Sequence, residues 1–294
     1  MSRHLIVGLA LLLPVSYVPA QDKPLSADKQ KEFAAEAMKK AEVKDARVVE
    51  SPHLVVATTL PEAKATALAY SLDKVFVSAH KALKFELGDL KAKTVVFTFA
   101  ELDQYRQFKR SVIKVRPEDD ETASFDVRRD DPYVAVAVRR SDKNPNFEVL
   151  AGYEICRAVL AKKGGNARLS DWMKDGFARA VAWRNDSKAA SADRAAVFRL
   201  APKLAKGAKA PNPTVEKAWS GMGRDKELIA ASLMDYLTFG PGNEKLGGLL
   251  SAMIPTAGID APTFVDALRS IEWMVDDLDR SWREWVAKGS QAGK

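Results

Sequence analysis

Histidine and cysteine are scarce in this 294-residue chain, which has three His and one Cys. A single cysteine excludes an internal disulfide. Cys156 lies in an apolar helical run and reads as a small buried hydrophobe rather than a nucleophile. Beyond His4 only His53 and His80 remain, one ahead of a strand and one on a long helix, with no spacing that joins them to a metal. Long apolar runs are absent after the first 20 residues, so no later segment is expected to span a membrane. The chain also lacks a Gly-x-Ser-x-Gly elbow, a phosphate-binding Gly-x-x-x-x-Gly-Lys loop and a dinucleotide fingerprint, which removes support for three common enzyme classes. Lys and Arg outnumber Asp and Glu by 46 to 39, a net charge of +7. The cations are interleaved with acids, as in KRSVIKVRPEDDE, and do not form the clustered stripe that a specific nucleic-acid partner needs.

The N-terminus carries Arg3 and His4, the apolar run Leu5 to Leu13, and Val18-Pro19-Ala20 ahead of Gln21. That layout predicts a signal peptide over residues 1–20 and export to the periplasm or beyond. The next segment, 21–50, is expected to be helical. Residues 51–294 are long enough to hold one large domain with its own core.

Periodicity predicts a helix over 26–41, a strand over 54–58, a helix from Pro61 to about Leu83 and a strand over 94–99. A short helix at 101–111 follows, then strands at 123–127 and 133–139 forming a hairpin with Asp130-Asp131-Pro132 at its turn. From Asn146 the chain reads as helical: 147–162, 170–184, 226–239, 243–254, 261–269 and 275–287. Strands early and helices late predict an α+β fold.

Two segments stand out. Ala151 to Val159 is AGYEICRAV, and Leu169 to Ala178 is LSDWMKDGFA. Residues four apart on a helix share a face, so Tyr153 and Arg157 lie together with Glu154 between them. Trp172 opens a Trp-x-x-Asp-Gly-x-Ala pattern on the next helix. These segments resemble the His-Glu-x-x-His helix and the Trp-x-x-Glu-Gly-x-Ala helix of peptidase MA-like (gluzincin) domains of exported bacterial proteins. The resemblance covers about His53 to Ala287 and implies a zincin-like domain. It implies Glu154 in the general-base place, Tyr153 and Arg157 in the two histidine places, and Asp175 in the place of the third metal ligand.

Zinc needs deprotonated N, S or O donors, and a guanidinium cannot serve. A cofactor-free, non-catalytic pseudo-metallopeptidase is therefore expected. Its expected partner is a peptide or extended protein segment, paired in the old cleft along the edge strand containing Tyr133, Val134, Val136 and Val138, with Trp172 nearby. Two alternatives are an active exported peptidase using Glu154 and Asp175, and an envelope-associated structural protein whose cleft is filled. One further expectation concerns the missing metal: the Arg157 guanidinium should bridge to Asp175 with Glu154 close by, and Tyr153 should pack over or bond to the cluster.

Overall fold

The computed structural model describes residues 26–87, 92–119, 121–127, 134–140, 147–165, 167–185, 195–196, 199, 224–256 and 262–290. The expected signal peptide, the hairpin turn at 130–132 and Tyr133 lie outside these residues.

The fold is α+β. Helix α1 (Ala27–Lys40) starts at Ser26, whose hydroxyl accepts from the Lys29 amide and satisfies one of the orphan N–H groups of the first turn. The short strand β1 (Arg47–Glu50) and β2 (Leu54–Thr58) follow, then the long helix α2 (Glu62–Ala82) and β3 (Thr94–Phe99). Helix α3 (Leu102–Phe108) widens into a π-turn at Lys109–Ile113 before β4 (Ala123–Val127) and β5 (Val134–Arg139). The C-terminal part holds α4 (Phe147–Gly164), α5 (Asp171–Arg184), α6 (Arg224–Phe239), α7 (Asn243–Ala252), α8 (Phe264–Ser270) and α9 (Val275–Ala287). Among the described residues no helix is long and apolar enough to cross a membrane.

The sheet order is β1-β2-β3-β5-β4. β2, β3 and β5 run parallel, and the outer strands β1 and β4 are antiparallel to their neighbours. Parallel strands are covered by helices on both faces and read as continuous apolar runs. LVVAT, TVVFTF and VAVAV fit that rule, and every one of those residues is buried. Side chains alternate between two cores. Leu54, Val56, Val96, Val134, Val136 and Val138 face the large core with α2, α4, α5 and the later helices. Val55, Val95, Phe97, Phe99, Ala135 and Ala137 face a smaller core under α1 and α3.

Two expectations are corrected. Residues 47–50, expected to be helical, form β1, because Val48 and Val49 pair with Ala57 and Val56 at the sheet margin. The strand at 134–139, expected to be an edge, is interior: β5 bonds β3 on one side and β4 on the other. Val134, Val136 and Val138 are therefore core residues, at most 5% exposed. The outer strand on that side is β4, whose ASFDV alternates polar and apolar residues as a half-covered strand does.

Candidate functional site

Helix α4 lies across β4 and β5 on the large-core face and packs against α5. Its apolar positions Ala151, Ile155, Cys156, Ala158, Val159 and Leu160 are buried around most of its circumference. Cys156 is fully buried and burial pushes its thiol up, so it behaves as the small hydrophobe expected.

Glu154 is also buried, at 2% exposure. Its carboxylate takes a hydrogen bond from Nη1 of Arg157, one turn along the same helix. The second arm of that guanidinium, Nη2, donates to Oδ1 of Asp175 on α5 at 2.7 Å. Arg157 thus bonds Glu154 on its own helix and ties α4 to α5 through Asp175, as expected from the sequence. Asp175 is 41% exposed and Arg157 28%, so the cluster runs from a sealed carboxyl at Glu154 to a solvated one at Asp175.

The two carboxylates share one cation. Burial is the largest influence on Glu154 and pushes its carboxyl up to about 7; Arg157 opposes this, and the charges of Asp175 and Glu121 reinforce it.

Tyr153 is half-buried against the large core, and the Arg179 guanidinium sits 5.6 Å from its ring centre. Arg179 is in turn paired with Glu227 of α6 at 2.6 Å. Trp172 packs edge-on against Phe264 of α8, ring centres 5.3 Å apart, and so anchors α5 to the C-terminal helices. Gly176 has a packing reason of its own. A Cβ there would lie 2.5 Å from the Ala230 carbonyl oxygen and 2.9 Å from Met234, so only glycine permits the α5–α6 crossing. Trp172, Gly176 and the fully buried Ala178 therefore each have a packing role, and Asp175 is the member of that pattern that faces the charged cluster.

These residues do not fit a zinc ion. Arg157 cannot be a ligand and is bonded to both carboxylates that could be. Among the described residues no three His, Cys, Asp or Glu side chains gather in a way that could hold a metal. His53 and His80 instead flank Phe76, at ring-centre distances of 5.6 and 4.1 Å. His53 pairs with Asp73 at 3.1 Å. His80 is buried with Nδ1 3.1 Å from the Phe76 carbonyl oxygen, and burial pushes it down to about 4, leaving it neutral.

A second polar cluster, on the other face of the sheet, was not legible beforehand. Lys109 Nζ lies 2.8 Å from Glu121 and 3.1 Å from Ser124 Oγ. Tyr105 hydroxyl donates to Glu121 at 2.7 Å and sits 3.0 Å from Ser124 Oγ. The one available signal was that Tyr105 and Lys109, four apart, share a helix face. It ties α3 and its π-turn to the start of edge strand β4.

β4 itself presents a usable edge. Arg139 N donates to Thr122 O at 2.8 Å, so Thr122, Ser124 and Asp126 direct their backbone groups toward β5 by ladder alternation. Ala123, Phe125 and Val127 direct theirs outward, and among the described residues no strand pairs there. No family model matches the chain, and no curated protein matches it.

Proposed function

We propose that this chain is an exported, non-catalytic protein on a peptidase-like scaffold, in which the Arg157 guanidinium takes the electrostatic place of a metal dication and the cleft binds an extended peptide along β4. One observation carries the reading: a single arginine bonds both carboxylates that the resemblance puts at the centre of the site. Removing a dication from between two carboxylates leaves a repulsion that a proton or fixed cation must offset. Arg157 does so while locking α4 to α5. Edge pairing uses main-chain groups and needs no metal, and the outward backbone groups of Ala123, Phe125 and Val127 supply it.

Two substitutions separate the parts of this reading. Ala123→Pro removes one outward N–H without breaking a bond to β5, so it should abolish capture of unstructured heptapeptides while leaving the fold intact. Unchanged capture would exclude the β4 edge. The triple variant Tyr153→His, Arg157→His, Asp175→Glu should acquire zinc affinity, because i and i+4 positions already face together. A folded triple variant that binds no zinc would count against the scaffold assignment.

A second reading has one observation in its favour. A carboxyl held near neutrality is suited to general acid–base work, and Glu154 is such a group. Hydrolysis of an unfolded protein substrate that disappears in Glu154→Gln would favour an active enzyme over the non-catalytic reading.

A further inference from the structure

The run KRSVIKVRPEDDE mixes charges in sequence, and the fold separates them. Lys109 and Glu121 turn inward and pair at 2.8 Å. Arg110, Lys114 and Arg116 stand exposed. Pro117 is buried, and beyond it the chain turns back on itself, the Glu121 amide donating to the Glu118 carbonyl oxygen at 3.4 Å. The exposed Glu118 and Asp119 belong to that turn. Residues 110–116 precede it as a hook that carries three cations and no acid.

The hook is held from inside. The amides of Lys114 and Val115 both donate to the Lys109 carbonyl oxygen, and the Lys109 side chain is fixed to Glu121 and Ser124. Val112 and Ile113 are half-buried against the small core. Ser111 Oγ lies 3.4 Å from the Lys40 carbonyl oxygen and seats the hook on the end of α1. There the exposed Lys39 and Lys40 are matched by Glu36 and Glu42, so the net positive charge belongs to the hook. Lys114 is left-handed, with φ 65° and ψ 31°, a conformation that a residue with a Cβ keeps only where its surroundings impose it. Val115, next along, is 51% exposed between Lys114 and Arg116. A π-turn and a left-handed non-glycine residue are both features that collect at functional positions.

An exposed apolar side chain between cations, on a turn fixed from behind, suits one kind of surface. Lys and Arg are drawn to the headgroups of an anionic bilayer, and an apolar side chain among them enters the boundary with the acyl chains. A nucleic acid would call for aromatic side chains on which bases stack, and the hook has none. We propose that residues 110–116 dock on the phosphate headgroups of an anionic lipid bilayer, with Val115 inserted among them. This assignment does not rest on the peptidase-like reading, since the hook stands on the small-core side of the sheet.

The test is flotation of the full chain with vesicles of phosphatidylcholine alone and of phosphatidylcholine mixed with phosphatidylglycerol. The apolar run Leu5 to Leu13 acts on both bilayers alike, so the readout is the ratio of the anionic to the neutral partition coefficient. One cation at an anionic surface is worth about fivefold in that ratio. Arg110→Gln and Lys114→Gln should each lower it by that factor, and the double variant by about 25-fold. Val115→Ser should weaken binding to the anionic vesicles to a smaller degree, and Val115→Trp should strengthen it. Lys64→Gln, which removes an exposed cation of α2 across the sheet, should leave the ratio unchanged. An unchanged ratio in the double variant would overturn the proposal. So would a loss at Lys64 equal to that at Arg110, which indicates diffuse surface charge. Binding to a duplex oligonucleotide or to polyglutamate that is tighter than to the vesicles, and indifferent to Val115→Ser, would assign the hook to a soluble polyanion and overturn the lipid assignment.

Discussion

Glu154 and Glu121 are both substantially buried glutamates with one cation each, on opposite faces of the same sheet, and their acidities move in opposite directions. Burial pushes both up. At Glu121 the Lys109 ammonium, the Tyr105 hydroxyl and the Glu118 amide outweigh burial and hold the carboxyl below its ordinary value. At Glu154 burial wins, and the carboxyl rises to about 7. Two differences decide the outcome. Glu121 has three donors of its own, whereas Glu154 shares Arg157 with Asp175. The Glu154 side chain is 3% exposed against 15% for Glu121. The lesson is that a salt bridge does not by itself fix the charge of a buried carboxyl. The number of donors devoted to it does.

The hardest way to break the comparison is to remove the devoted cation. Lys109→Met should destabilise the fold by about 3–5 kcal/mol, because Glu121 loses its counterion while remaining largely buried. The denaturant midpoint should fall with an unchanged slope. The pH dependence of stability gives the next effect. The folded-state value of Glu154 lies above its ordinary 4.5, so its contribution is complete below about 4.5 and is lost as pH rises through about 7. The span of that loss is about 3 kcal/mol. Glu154→Gln should flatten stability across this window, as thermal midpoints at several pH values will show.

Arg157→Ala should cost less than Lys109→Met. Glu154 can take up a proton once its cation is gone, and Asp175 can rehydrate. A loss of about 2 kcal/mol at pH 8 and about 1 kcal/mol at pH 5 is expected. A loss as large as that of Lys109→Met, independent of pH, would show Glu154 to be ionised in the fold. The smallest change is Tyr105→Phe, which deletes one donor to Glu121. About 1 kcal/mol of stability should be lost, and the Glu121 carboxyl resonance should titrate at higher pH in NMR.

Much of the fold was legible in sequence because its elements are strongly patterned. β2, β3, β4 and α9 fall on the expected residues. β1 was missed because RVVE is too short to carry an alternation signal. The helix at 101–111 was expected, but not its change to a π-turn at Lys109, which goes with the ties from Lys109 to Glu121 and Ser124. The strand expected at the edge, β5, lies inside, and the polar residues of ASFDV against the unbroken YVAVAV mark β4 as the outer strand.

The sequence by itself determined the α+β class, the nearness of Arg157 to Glu154 and Asp175, and the unfitness of a guanidinium as a zinc ligand. Each follows from residue chemistry or helix period and needs no neighbour. Helix geometry also limited where Arg157 could reach. Tertiary structure alone decided that Glu154 is sealed while Asp175 is solvated, that Arg157 divides itself between them, and that β4 rather than β5 is an outer strand among the described residues. Those properties depend on how much water and how many donors surround each group, and both are set by segments distant in sequence: α5 against α4, Glu121 ahead of β4, and β5 inserted between β3 and β4.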